Sequence, residues 1–334
     1  MNRSLCSLAV GLTLILPFTG CRRQEGTAAE EPGAGDGREF SVLLNWFAEA
    51  EHGGYYAAEA EGLFAAEGLS VRILPGGPGA SVVQRIATGE VDFGVENADH
   101  VLLARAQGVP VVAVFAPIQT HPRCIMVHES TGITRLEDLR GLTLAMNPSG
   151  SFSHFLRKRV PLTDVRIVPY GGSVSPFLAD ESYAQQAYAF SEPFVAEQAG
   201  ARPRVLLLSE LGFNPYTSCL LTSEETIRER PDAVRRLVRA CARGWAGYVA
   251  DPTPAHRLIL EANPEMSPAA LDYGARSLVP LIHGDDQDAG IGRMTAERWR
   301  QLLNQLEETE LLEPGSVDPR EAFTTEFLPG TVAE

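Results

Sequence analysis

The chain has 334 residues, of which 44% are hydrophobic and 21% charged, and it carries a formal charge of −15. It is too long for one small core and too apolar for disorder, so two globular lobes are expected. So acidic a chain is unsuited to binding nucleic acid or an anionic membrane surface through its own charge.

The N-terminus reads Met1-Asn2-Arg3, then an apolar run over residues 5–16, then small residues ending in Gly20 directly before Cys21. A positive start, a short apolar stretch and small residues before the cut make a secretory signal, too short to span a bilayer. The Gly20-Cys21 step resembles a bacterial lipoprotein signal, in which Cys21 is lipidated and becomes the new N-terminus. Phe18 stands where such signals usually carry Leu, and ordinary cleavage nearby is the alternative. Residues 22–38 have no apolar periodicity and read as a flexible tether. The expectation is an exported body held at a membrane only by acyl chains.

From Phe40 onward, strand and helix patterns alternate. Strands are predicted over residues 40–45, 69–74, 91–95 and 109–115, with helices over 54–64, 80–88 and 98–107 between them. A second series has strands over 124–128, 142–146, 165–170, 184–190 and 205–208. Its helices fall near 136–139 and over 152–159 and 193–200. A last strand over 218–221 precedes an entirely helical remainder. The clearest helix there, 232–249, sets Val234, Leu237, Val238, Cys241, Trp245 and Val249 on one apolar face behind Pro231. Trp245 and Trp299, on such faces, are assigned to the core. Alternation of this kind predicts parallel sheets covered on both faces. With crossings near 117–122 and 213–217, the expected organisation is a signal (1–21), a tether (22–38), one lobe from 39–118 plus 216–334, and a second from 119–215. Two lobes joined by two strands make a hinge that can close on a ligand.

In open α/β sheets ligands bind beyond the carboxyl ends of strands. Those ends here carry Trp46, Glu49, Glu51 and His52, then Glu96, Asn97 and Asp99, then Ser149 and Ser151, then Tyr170, then Glu192. Asn97, Ser149 and Ser151 are either helix caps or ligand contacts. Gly53-Gly54 and Gly171-Gly172 are either turn glycines or backbone cleared for a ligand. His52 among carboxylates reads as a surface residue or a contact. Glu192 serves either the helix dipole or a ligand. Trp46, just past a buried strand in a polar loop, has less reason to be core.

Enzyme signatures are missing from the sequence. There is no Gly-Lys phosphate loop, no G-x-G-x-x-G after the first strand, no G-x-S-x-G and no H-E-x-x-H. The seven His are dispersed, the five Cys have neither a disulfide-framework nor a zinc spacing, and the only Lys is Lys158 between Arg157 and Arg159. No cofactor and no metal are expected, and the composition points to binding instead of turnover.

Residues 44–74, LNWFAEAEHGGYYAAEAEGLFAAEGLSVRIL, resemble the opening of periplasmic substrate-binding proteins of ABC importers for thiamine pyrimidine precursors. Related sulfonate and riboflavin importers share that fold. Further matches are TGEVDFGVENAD (88–99), GITRLEDLRGLTLAM (132–146), GFNPYTSCLLTSEE (212–225) and the P-x-x-V-x-x-x-V-x-A helix after it. The resemblance implies an α/β, type II periplasmic binding protein fold, with two α/β lobes joined by a two-stranded hinge. It also implies a planar heteroaromatic guest held by aromatic stacking and by carboxylate and amide groups. Trp46 and His52 match the family's loop Trp and His. Asn97 and Asp99 match its polar segment after the third strand, and Glu192 falls where some members place a carboxylate facing the ring. Fungal relatives are pyrimidine synthases with a pyridoxal-bearing Lys and a Cys-rich motif, and this chain lacks both.

The candidate ligand set is therefore Trp46, His52, Tyr55, Asn97, Asp99, Ser149, Ser151, Tyr170 and Glu192, with Cys21 as the lipidation site. The expected partners are a small heteroaromatic ligand and ABC permease subunits, with the protein itself a monomer. Glu51, Glu96, Asp99 and Glu192 near the site disfavour a sulfonate or nitrate ligand. Arg123, near a crossing, is the one group that could contact an anion.

Overall fold

The computed structural model describes residues 38–284 and 290–330; the signal segment, Cys21 and the tether lie outside the described residues. The first run of elements is β1 (Glu39–Leu43), α1 (Gly53–Ala60), α2 (Leu63–Ala66), β2 (Ser70–Leu74), α3 (Val82–Ala87), β3 (Phe93–Glu96), α4 (Ala98–Ala106) and β4 (Val111–Phe115). The second is β5 (Arg123–His128), β6 (Thr143–Ala145), α5 (Ser151–Arg159), β7 (Arg166–Val168), α6 (Ser175–Ala179), β8 (Tyr183–Tyr188), α7 (Glu192–Gln198) and β9 (Pro203–Leu207). Then come β10 (Cys219–Ser223), α8 (Glu224–Glu229), α9 (Pro231–Ala250), α10 (Thr253–Ala262), α11 (Pro268–His283) and α12 (Ala296–Glu308).

The strands form two five-stranded sheets, in the orders β2-β1-β3-β10-β4 and β7-β6-β8-β5-β9. Neither is purely parallel, which corrects the expectation from the alternating pattern. β10 runs antiparallel between β3 and β4, and β5 runs antiparallel between β8 and β9. Both are the strands that follow a passage of the chain from one sheet to the other, so no crossover helix forces them parallel.

β1 shows why the central strands read as continuous apolar runs. Phe40, Val42 and Leu44 enter the core beneath α1 and α9, while Leu43 enters the opposite core with α3 and α4. Both faces are covered, so both sets of side chains must be apolar. The α9 face is buried through Val234, Leu237, Val238, Cys241 and Trp245, with Val249 half-buried at its end. Pro231 occupies the first turn of α9, where its missing N–H costs nothing. Ser223, Ser267 and Thr295 cap α8, α11 and α12, each side chain accepting a backbone N–H of the first turn.

The two passages between the sheets are pinned to each other. Thr217 N donates to Ile118 O at 3.2 Å, and His121 N donates to Asn214 Oδ1 at 2.7 Å. Arg298 of α12 donates to Asn214 O and Gln119 O while its guanidinium stacks 3.9 Å from the Tyr216 ring centre. The backbone of Gln119 and Thr120 donates to Leu281 O at the end of α11.

Candidate functional site

The carboxyl ends of β1, β3, β7 and β8 and the first residue of β5 meet where the two sheets face each other. After β1 the chain makes a 3₁₀ turn at Ala50–His52 and enters α1, which turns Glu49, Glu51 and His52 inward, all buried. His52 Nε2 donates to Asn45 Oδ1 at 2.8 Å and lies 3.3 Å from Glu51 Oε1, while its Nδ1 is buried with no partner. Ser218 links this loop to β3: its hydroxyl donates to Glu51 Oε2 at 3.5 Å and its N–H donates to Asn97 Oδ1 at 3.3 Å.

Asn97 carries the network to the other lobe, where its Nδ2 donates to the Tyr188 hydroxyl at 3.2 Å. Behind Tyr188, Glu192 Oε2 accepts the Tyr188 N–H at 2.8 Å and Oε1 accepts the Tyr170 hydroxyl at 3.1 Å. The Arg123 guanidinium lies against the Tyr188 ring, 3.9 Å from its centre, and 5.1 Å from that of Phe152. His100 Nδ1 contacts Glu96 Oε1 at 3.0 Å, and His121 Nδ1 shares a 2.5 Å hydrogen bond with the Thr217 hydroxyl.

Burial dominates the electrostatics. It raises Glu49 well above the ordinary carboxylate value, reinforced by Glu51 and Glu192 and opposed by Arg123. It also pushes Glu51 up to about 7, against Arg123 and with the help of Glu96. His52 and His121 are pushed down to about 3 by the same loss of water and are neutral. Asp99 goes the other way: burial would raise it, but the His100 charge and the neighbouring Ser151 hydroxyl help hold it low. Contact with Glu96 raises His100, whose side chain is half exposed and therefore partly screened.

These directions fix a stability profile. Carboxyls raised in the fold stabilise it while protonated, and that contribution is lost as pH climbs through the folded value. Histidines depressed in the fold stabilise it above their ordinary value, and lose this as pH falls. The melting temperature of the unliganded protein should therefore be highest between 4.5 and 6.5, the ordinary Glu and His values, and fall on either side. Glu51→Gln should flatten the decline through pH 7; a thermal melt series in which variant and parent decline identically there would contradict this.

Asn97, Asp99, Ser151, Tyr170 and Glu192 lie in or beside this network; Trp46, next in the chain after Asn45, is 44% exposed and packed edge-on against Phe47. Two expectations, Tyr55 and His52, need correction, and the capping alternative for Ser149 is settled. Tyr55 is core: its ring meets Trp245 edge-on at 5.7 Å, and its hydroxyl donates to Ser218 O, beneath the site. Ser149 is exposed, and Gly150, not a serine, occupies the N-cap of α5. His52 is neither a surface residue nor open to a guest, because α1 buries it completely.

Asn97 sits at the N-cap of α4 yet makes no side-chain cap, leaving its amide for Ser218 and Tyr188. Gly53 and Gly54 are not cleared for a ligand. A Cβ at either would overlap Tyr248 or Trp245 of α9. Gly172, at φ 75° with open space around it, is a turn glycine. Sequence reasoning missed Tyr188 and His121. Tyr188 was read as strand interior because the predicted strand ran two residues too far, and His121 lies in a passage that carries no element signal.

Residues 49–255 match the family profile described as NMT1/THI5 like. The chain belongs to the NMT1/THI5-like family. This NMT1/THI5-like protein is 28% identical to the riboflavin-binding protein RibY of Chloroflexus aurantiacus over 346 residues, 97% of each chain. It is 24% identical to the 4-amino-5-hydroxymethyl-2-methylpyrimidine phosphate synthase of Legionella pneumophila, across 87% of this chain and 92% of that one. It is 25% identical to the formylaminopyrimidine-binding protein of Halalkalibacterium halodurans, across 90% and 93%. Among solved structures, the periplasmic aliphatic sulphonate binding protein SsuA of Escherichia coli superposes with a TM-score of 0.67 at 17% identity. That match covers 89% of this chain and 95% of SsuA. The NMT1/THI5-like chain thus has the two-lobed periplasmic binding protein fold.

Proposed function

We propose that this protein is the solute-binding component of an ABC importer and holds a planar heteroaromatic ligand between its lobes. The observation that carries this reading is the set of groups gathered there: buried Glu49 and Glu51 with Glu192, the Asn97 amide, and the Tyr188 ring backed by Arg123. Amino and ring N–H groups of a guest find acceptors in the carboxylates, and the exposed Trp46 offers a stacking face. The first ligand class is a thiamine pyrimidine precursor such as hydroxymethylpyrimidine or formylaminopyrimidine, as for the Halalkalibacterium relative. Riboflavin is the second, favoured by the end-to-end similarity to RibY. A sulfonate or nitrate would bring a full negative charge and no N–H donor to a site rich in carboxyl oxygens, which disfavours it.

Carriage without turnover is supported by the same residues. The one lysine, Lys158, is exposed in the last turn of α5, and the Cys124, Cys219 and Cys241 thiols are buried with raised pKa values, so none is an activated nucleophile. Anchoring through a lipidated Cys21, a monomeric state and docking on permease subunits complete the reading.

A thermal-shift panel of hydroxymethylpyrimidine, formylaminopyrimidine, riboflavin, taurine and nitrate tests it. A heteroaromatic ligand at a hundredfold excess over Kd should stabilise the protein by about 2.7 kcal/mol. Stabilisation by taurine or nitrate alone would reject the ligand class, and recovery of a chemically altered ligand would reject carriage. Trp46→Ala should weaken binding by about 1–3 kcal/mol, the worth of a stacked base on an aromatic ring, with little change in melting temperature. Trp299→Ala should instead cost about 3–5 kcal/mol of stability, because Trp299 is fully buried and stacked on Phe323. Equal effects of the two on affinity would place the guest elsewhere.

A further inference from the structure

Arg123 enters the proposed ligand set only as the backing of the Tyr188 ring, and its own donors remain to be assigned. It opens β5, directly after the chain passes from one sheet to the other, and its guanidinium is held between the rings of Tyr188 and Phe152. Its Nε is buried with no hydrogen-bond partner, and no carboxylate among the described residues lies within ion-pairing distance of its nitrogens. Glu49, Glu51 and Glu192 are nonetheless near enough to act on one another and on it through their charge. These carboxyl groups thus sit near the guanidinium without occupying its donors.

A guanidinium presents five N–H donors in a planar fork, and leaving them unmet in a low-dielectric site is costly. Stacking on Tyr188 fixes the plane of that fork, so the donors point in set directions before any guest arrives. The carboxyl groups around it keep an acceptor oxygen whether or not they are protonated. A guest that satisfies both must therefore bring an acceptor and a donor side by side.

We propose that Arg123 is a specificity-determining residue whose fork takes a carbonyl oxygen of the ligand while the nearby carboxylates take an adjacent N–H. The preferred guest is then a heterocycle bearing an amide or imide edge, in preference to one that offers amino groups and ring nitrogens alone. This rests on the heteroaromatic reading above and narrows it.

Calorimetric titration with riboflavin (imide edge), formylaminopyrimidine (formamide carbonyl) and hydroxymethylpyrimidine (no carbonyl) tests the assignment. The parent protein should bind at least one of the first two about tenfold or more tighter than the third. Arg123→Lys and Arg123→Gln should each weaken the carbonyl-bearing ligand by about tenfold or more and change hydroxymethylpyrimidine by less than about threefold. Equal losses for all three, no loss for any, or tightest parent binding of hydroxymethylpyrimidine would overturn the role of Arg123 alone. Failure of every heterocycle to bind the parent would overturn the underlying reading with it. Should both variants fail to fold, infrared difference spectra of carbonyl-labelled riboflavin or formylaminopyrimidine on the parent protein decide the matter. A carbonyl stretch moved below its position in water is expected, and an unmoved band refutes the contact.

Discussion

Gly244→Ala should destabilise the protein by about 3 kcal/mol or more, while Gly247→Ala, one turn further along the same helix, should cost less than about 1 kcal/mol. Both replace a helical glycine of α9 and both gain helix propensity. They differ in what the new methyl meets. At position 244 it would overlap the backbone oxygen of Gly54 and come within 2.7 Å of Ala58 N and Cβ, atoms of α1 that cannot rotate away. At position 247 the nearest atoms belong to the Glu61 carboxylate, 2.5 Å away, the far end of a flexible side chain. Close packing of α1 on α9 also sets the height of the loop that precedes α1, so Gly244→Ala should weaken ligand binding through Glu49 and Glu51 as well. Denaturant melts of the two variants side by side are the check, and similar losses would mean that α1 can shift on α9 at little cost.

Glu192→Gln should weaken binding of the preferred heterocycle by roughly 10–100-fold, the range for losing a charged hydrogen-bond partner. Glu192 opens α7 ahead of Pro193, and its two oxygens hold the Tyr188 backbone and the Tyr170 hydroxyl. A glutamine keeps one acceptor and loses both the charge and the second acceptor, so Tyr188, the ring on which Arg123 stacks, is held less firmly. Calorimetry with whichever of riboflavin or formylaminopyrimidine the parent binds reads the loss. An unchanged Kd would remove Glu192 from the site.

Much of this architecture was legible beforehand. The apolar face of α9 and the two core tryptophans followed from helical spacing, and the rule that guests sit beyond strand ends pointed to the loops after β1, β3, β6, β7 and β8. The rest depended on partners that periodicity does not reveal. Pattern alone cannot show that β5 and β10 slot in antiparallel, because their neighbours come from distant segments. Gly53 and Gly54 looked like turn or ligand glycines because the rings that require them, Tyr248 and Trp245, lie nearly two hundred residues on. His52 follows a glutamate and Tyr55 a glycine pair that looked like a turn, yet α1 carries both into the interior.

β4 and β10 are antiparallel neighbours, and every strand of the second sheet comes from the uninterrupted stretch 123–207. That half is thus one long excursion out of what would otherwise be a hairpin, with Ile118 and Thr217 paired at its root. Two joins there suffice to graft the excursion from one relative onto another. A chimera made so would exchange Arg123, Tyr170, Tyr188 and Glu192 as a block while Trp46, Glu49, Glu51 and Asn97 stay behind. Recombination can in this way alter one wall of the candidate site while the other is retained, a route by which a shared scaffold diversifies what it binds.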